Sequence, residues 1–275
     1  MKHIVTDLSV GAEKPFTVLH VCDIHLTRTD AQDSDALREL SEKRKLVYPD
    51  SEAMIDEITA LSKSSGYPVL ATGDLMDFNS PANRERVTRF VAETDSILIP
   101  GNHDYRPFGG MGYDVPESRN ASLPQVQEAF GNTLYMSAHV RNGVNIVSLD
   151  NVYYRFDAGQ LTALKKEVEK GLPILLLLHV PLYHPICFDA VVNEKRAYAS
   201  LVAVPEEKMQ DYPPKRYTQQ IADEITRETV DYICRTTAIK AILCGHVHKD
   251  VEAVLCDRLP QYVTSIGTIR ECRIR

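Results

Sequence analysis

Short apolar runs that stop abruptly at polar residues recur along this chain. FTVLHV (16–21) leads into Cys22-Asp23, YPVLA (67–71) into Thr72-Gly73-Asp74, and SILIP (96–100) into Gly101-Asn102-His103. VNIVSL (144–149), PILLLL (173–178) and IKAILC (239–244) lead into Asp150, His179 and Gly245-His246. Aliphatic and β-branched runs of this length predict strands, and several are too continuously apolar to leave a face in water. Between them, residues 51–65, 83–94, 157–171 and 217–235 carry apolar positions at helical spacing. Strand and helix in alternation predict an α/β fold. Residues 105–118, rich in Gly, Pro and Tyr, and 180–216, with five prolines, predict long loops. The β-branched runs of 251–275, broken at Asp257-Arg258 and Gly267, predict closing strands or hairpins.

Composition narrows the function classes. A net charge of -7 over 275 residues argues against a general nucleic-acid or anionic-membrane surface, which needs clustered Lys and Arg. The first sixteen residues lack the apolar core of a signal peptide, and PILLLLHVPL is too short to span a bilayer. Six cysteines without a CxxC pair fit neither a zinc ribbon nor a small disulfide scaffold, so reduced thiols and a cytoplasmic location are expected. Cys22 and Cys244 adjoin candidate site residues, but neighbours along a strand point to opposite faces, which places both in the core.

The polar residues at the strand ends share one chemistry. Asp23 and His25, Asp74 and Asp77, Asn102, His103 and Asp104, His179, and His246 and His248 supply carboxylate, carboxamide and imidazole, the donors that suit transition ions. Taken singly each has an ordinary reading: a Gly-Asp or Gly-Asn turn, a carboxylate beside a helix N-terminus for Asp77, a buried histidine before a proline, a hairpin end. Taken together, beyond the C-terminal ends of successive strands where α/β sheets gather ligands, they point to one site.

In order and content these pieces resemble the calcineurin-like metallophosphoesterase superfamily, whose pattern D-x-H, G-D-x-x-D, G-N-H-[D/E], H, G-H-x-H stands here as DIH, GDLMD, GNHD, LLHVP and GHVH, from residue 23 to residue 248. The resemblance implies a four-layer α-β-β-α sandwich, two mixed sheets flanked by helices, with a dinuclear metal site at the strand C-terminal ends. Because residues from both ends of the chain must converge there, one domain over 1–275 is expected, with a substrate-side insertion around 183–216. It also implies two transition-metal ions (Mn, Fe or Zn), one held by Asp23, His25 and His248, the other by Asn102, His179 and His246, with Asp74 bridging them. His103 would be the catalytic histidine that is not a ligand, and Asp77 its carboxylate partner. Gly245 would let the strand end turn tightly into the site.

The activity so implied is hydrolysis of a phosphate mono- or diester by attack of a metal-bridging hydroxide, with a small phosphorylated substrate, a small-molecule or nucleotide phosphodiester, favoured over nucleic acid, and no membrane partner. A DNA-repair-type nuclease and a non-catalytic protein-binding scaffold are the alternatives. GDLMDFN lacks the Arg-Gly that follows this motif in the protein phosphatases, and His179 is followed by Val180-Pro181 where the cyclic-nucleotide branch often carries a second histidine. Arg106 and His184 are candidate substrate contacts. Lys195, Arg196, Lys208, Lys215 and Arg216 in the insertion are further cations with solvated surface charge as the ordinary reading.

Overall fold

The structure is a computed structural model that describes residues 1–107, 115–192 and 198–275. One sheet contains β1 (Lys2–Leu8), β2 (Phe16–Val21), β3 (Val69–Thr72), β4 (Ser96–Ile99) and β11 (Thr268–Ile274) in the order β1-β11-β2-β3-β4. The other contains β5 (Met136–Arg141), β6 (Val144–Leu149), β7 (Ile174–Leu177), β8 (Ile239–Cys244), β9 (Val251–Leu255) and β10 (Leu259–Val263) in the order β5-β6-β7-β8-β10-β9. Strands β2, β3 and β4 run parallel, as do β6, β7, β8 and β10; in the first sheet β11 pairs parallel with β1 and antiparallel with β2, and in the second the antiparallel strands β5 and β9 close the edges, so both sheets are mixed. Strands β3, β6 and β7 are buried at every position, which is why they read as unbroken apolar runs.

Three apolar layers account for the sandwich. Val18, Leu70, Ile97 and Ile99 of the first sheet meet Ile146, Leu175, Leu177 and Leu243 of the second between the sheets. Outside the first sheet, Met54, Ile55 and Ile58 of α2 (Ser51–Ser65), Val87 and Phe90 of α3 (Pro81–Glu93), and Val126 and Phe130 of α4 (Pro116–Phe130) close a second layer. Outside the second sheet, Leu164 of α5 (Ala158–Glu169), Cys187 and Val191 of α6 (Pro185–Val192) and Ile233 of α8 (Glu224–Arg235) close a third. The expected α-β-β-α layering is present, and among the described residues no helix is long and apolar enough to cross a membrane.

Several local expectations are corrected. The helix expected over 217–235 is two helices, α7 (Pro214–Gln220) and α8, because the Asp223 side chain accepts from Thr226 N and caps a new start, with Ile221 extended before it. The loop expected over 105–118 ends in the first turn of α4, with Pro116 at its start, and 108–114 lie outside the described residues. The insertion contains α6, and α1 (Asp35–Lys45), β1 and β5 were not foreseen: none is a long apolar run. The expectation of reduced thiols fails for one pair. Cys234, at the end of α8, forms a disulfide with Cys256 in the β9–β10 turn, a pairing of helix end and hairpin that a separation of 22 residues does not announce. Cys22, Cys187, Cys244 and Cys272 are free and buried, as expected for core residues.

A polar seam crosses the sandwich. His20 on β2 is fully buried, its Nε2 2.9 Å from Thr72 Oγ1 and its Nδ1 2.9 Å from Thr264 Oγ1. Arg270 on β11, also fully buried, donates to Thr264, to Thr6 and to Glu252 of β9, joining the two sheets. Burial, aided by the Arg270 cation, pushes His20 down to about 3 from 6.5, so the folded chain holds it neutral. The unfolded chain binds this proton from near pH 6.5, so the contribution is complete above that value and is lost as pH falls toward 3. His20→Ala should therefore cost about 2–4 kcal/mol in denaturant titrations at pH 7. It should also remove one proton from the acid limb of the stability profile; an unchanged limb would refute the assignment.

Candidate metal centre

Five strand ends converge at one edge of the sandwich. Asp23 and His25 follow β2, Asp74 and Asp77 follow β3, Asn102 and His103 follow β4, His179 follows β7, and His246 and His248 follow β8. Asp23, His25, Asp74, His246 and His248 adopt left-handed backbone, with φ of 54°, 53°, 54°, 71° and 54°; they are half of the ten non-glycine residues that do so among those described. Such conformations are held only where the surroundings over-determine them. Here the loops are laced to each other: Asp23 N donates to Gly73 O (3.0 Å), His25 N to Asp74 O (2.9 Å), and Gly245 N to His179 O (3.0 Å).

Two glycines leave room for this lacing. At Gly73, where φ is +93°, an added Cβ would lie 2.5 Å from His179 Nδ1. At Gly245 it would lie 2.7 Å from Cys22 Cβ, so this residue serves close approach as well as the tight turn expected of it, which Val247 N closes on Gly245 O at 2.8 Å.

The side chains form two overlapping sets of donors. In one, His25 Nε2 is 3.1 Å from His248 Nε2, and Asp23 Oδ1 is 3.9 and 3.5 Å from them. In the other, His179 Nε2 is 3.1 Å from His246 Nδ1 and 3.2 Å from Asn102 Oδ1. Asp74 Oδ2 lies between the sets, 3.7 Å from His25 Nε2 and 3.6 Å from His179 Nε2.

Three observations fit this cluster to cations. First, Asp23 Oδ1 is buried and has no hydrogen-bond partner. Second, Asp74 sits among carboxylates: burial, with the charges of Asp23 and Asp104, pushes its acid well above the usual range. Such a group of buried carboxylates is relieved by positive charge. Third, burial pushes His25 down to about 3 and lowers His179 and His246 too, so their rings are neutral, as metal ligands must be. Hydrogen bonds at the far nitrogens choose the tautomers: His179 Nδ1 is 2.7 Å from Thr72 O and His25 Nδ1 is 3.3 Å from Asp77 Oδ1, which leaves each Nε2 a bare lone pair.

Supporting residues fix these groups. Asp104 accepts from the backbone N–H groups of Asp74 (2.8 Å), Met76 (2.8 Å) and Gly101 (2.7 Å), tying the β3 and β4 ends together. Burial nevertheless pushes its carboxyl up to about 7, against the pull of those amides. Asn151, which follows β6, was not foreseen: its Oδ1 accepts from His179 N and Val180 N, both at 3.1 Å, and sets the loop that carries His179.

His103 lines the cleft above the cluster, and its Nδ1 is 3.0 Å from Asp77 Oδ1. Asp77 also takes both arms of Arg44, at 2.6 and 2.7 Å. Burial works against ionisation of Asp77, yet His103, His25 and Arg44 hold its carboxyl well below the usual range. Its carboxylate is thus enclosed by His103, His25 and Arg44. Arg44 and Tyr48 are the functional neighbours that sequence reasoning missed. Tyr48 stacks on His25 with ring centroids 4.1 Å apart, and both come from a stretch with no motif spacing.

Arg106 reaches to 3.9 Å from Asp77 Oδ2 and is close to the cleft. His184 is not brought there; it lines a separate depression with Ile186, Glu252 and Tyr262. Of the insertion cations, Arg216 lines the cleft, Lys208 and Lys215 are exposed, and Lys195 and Arg196 lie outside the described residues.

Known proteins resemble this chain in sequence or in fold. A 3',5'-cyclic adenosine monophosphate phosphodiesterase from Vibrio vulnificus is 23% identical over 265 residues, covering 92% of this chain and 77% of that protein. A dimetal phosphatase from Danio rerio superposes with a TM-score of 0.52 at 14% identity, covering 92% of this chain and 88% of the other. A purple acid phosphatase from yellow lupin seeds superposes with a TM-score of 0.53 at 13% identity, covering 93% of this chain and 45% of its own. The family model of the calcineurin-like phosphoesterases matches residues 16–250, which takes in every strand end of the cluster, and the chain belongs to that family.

Proposed function

We propose that this metal-dependent phosphoester hydrolase acts on a small phosphorylated molecule, with a nucleotide or similar phosphodiester as the favoured class. The observation that carries the reading is Asp74 Oδ2, nearly equidistant from His25 Nε2 in one set of donors and His179 Nε2 in the other. Asp23, His25 and His248 would hold one cation, Asn102, His179 and His246 the other, and Asp74 both. The oxygen and nitrogen donors suit Mn, Fe or Zn. When bound, a pair of such ions supplies Lewis-acid polarisation of phosphoryl oxygens and acidifies water.

The chain's own residues do the rest. His103 Nδ1 is tied to Asp77, which leaves Nε2 as the nitrogen that gives a proton to the departing oxygen. Arg44 and His25 share the Asp77 carboxylate and so fix its direction, while Tyr48, stacked on His25, shields that ring from water. A cleft volume of 340 Å³ matches a small molecule. The Vibrio relative's cyclic adenosine monophosphate supports the diester class, although Val180-Pro181 after His179 departs from the cyclic-nucleotide pattern.

Protein purified without chelators and reconstituted with Mn²⁺ should carry about two ions per chain by elemental analysis. Asp74→Ala should lower that number, and a chain that cannot be loaded at all would sink the reading. His103→Ala should lower turnover of bis(p-nitrophenyl) phosphate about 10²–10⁴-fold while metal content stays near that of the parent. Turnover that survives the substitution would assign His103 another role.

A further inference from the structure

One turn that carries no sequence motif reaches both histidines of the second donor set. It joins β6 to α5. From it, Asn151 accepts from His179 N and Val180 N and donates from Nδ2 to Val180 O at 2.8 Å, so the loop that carries His179 is held from this side. Three residues further on, Tyr154 Oη lies 3.4 Å from His246 Nε2, and the two rings meet edge-on with centroids 5.7 Å apart.

Tyr154 takes this position at a cost to its backbone. Its φ is +67°, a left-handed conformation that a bulky residue rarely adopts, and its side chain is buried. The turn is fastened from three directions: Tyr154 N donates to Asn151 O at 2.9 Å, Phe156 N to Thr226 Oγ1 of α8 at 3.1 Å, and Gln160 Nε2 of α5 to Asp150 O at 2.7 Å. A strained residue so enclosed is held for what its side chain touches.

What it touches is the far nitrogen of a candidate ligand. His246 Nδ1, 3.1 Å from His179 Nε2, is the nitrogen that belongs to the donor set, and a lone pair there leaves the ring proton on Nε2. Nε2–H then donates to Tyr154 Oη, across a distance that is long for such a bond. The other two buried ligand rings are answered by different oxygens, His25 by the Asp77 carboxylate and His179 by the Thr72 carbonyl. Of the three partners, the hydroxyl alone can be removed without altering a charge or the backbone.

We propose that Tyr154 is a positioning residue for the second cation: it holds the His246 ring with its proton on Nε2 and its Nδ1 bare, and thereby sets the affinity for the ion that Asn102, His179 and His246 would take. This rests on the metal-centre reading of the cluster and adds a residue outside the ligands that governs one ion and not the other.

Tyr154→Phe, which removes the hydroxyl and keeps the ring, separates this role from packing. In calorimetric titration of the metal-free protein with Mn²⁺, one of the two binding steps should weaken by about ten- to a hundredfold while the other keeps its parent value. The melting temperature of the metal-free chain should move by no more than about 2–4 °C. Equal binding of both ions by the two proteins would overturn the proposal, and so would equal weakening of both steps, which marks a tyrosine that only packs. Nitrogen NMR of isotope-labelled histidine reads the contact without metal. His246 should carry its proton on Nε2 in the parent and divide it between the two nitrogens in Tyr154→Phe; the same tautomer in both would count against Tyr154. A parent that binds no ion would count against the metal-centre reading, and the tautomer comparison would still decide for or against Tyr154.

Discussion

Burying several carboxylates in one place is costly, and the site edge of this molecule is organised around that cost. Asp23, Asp74, Asp77 and Asp104 are all buried within a few ångströms of shared partners. Each is answered differently. Asp104 is surrounded by backbone amides, Asp77 by a guanidinium and two imidazoles, and Asp74 by one amide and the ligand histidines. Asp23 keeps one oxygen without a hydrogen-bond donor, although burial, which would raise its acid, is overridden chiefly by His248, and the acid lies well below the usual range. A cluster of this kind stores the demand for positive charge that a pair of cations would meet.

Strained backbone is the structural counterpart of that cluster. A left-handed Asp or His is disfavoured by contacts between its own Cβ and backbone, and five of them at one edge are tolerable only because neighbouring loops are hydrogen-bonded to each other. The sandwich provides the rigid frame. Two parallel strand groups, one per sheet, aim their C-terminal ends at the same edge, so ligands separated by more than two hundred residues arrive within a few ångströms.

Much of this is legible in the sequence because the relevant signals are local. An apolar run followed by a ligand type marks a buried strand and the end that emerges from it, and every candidate ligand was found in that way. What was missed depends on contacts between distant segments. Arg44 and Tyr48 sit on and after a helix whose own spacing is unremarkable, Asn151 follows a strand end that carried no motif, and the partner of Cys234 becomes visible only once α8 lies against the β9–β10 hairpin. His184 shows the converse: nearness in sequence to His179 did not bring it to the cleft, because α6 begins at the next residue and carries the chain away.

The order of strands in the first sheet sets what holds this edge together. β11, seven residues long, lies between β1 and β2, parallel to the former and antiparallel to the latter. Strands within residues 2–21 are thus joined through one at 268–274, a pairing of high contact order. β2, which carries Asp23 and His25 at its tip, is clasped between β3 and that distant strand. The position of two candidate ligands is thereby tied to a segment that carries none of them.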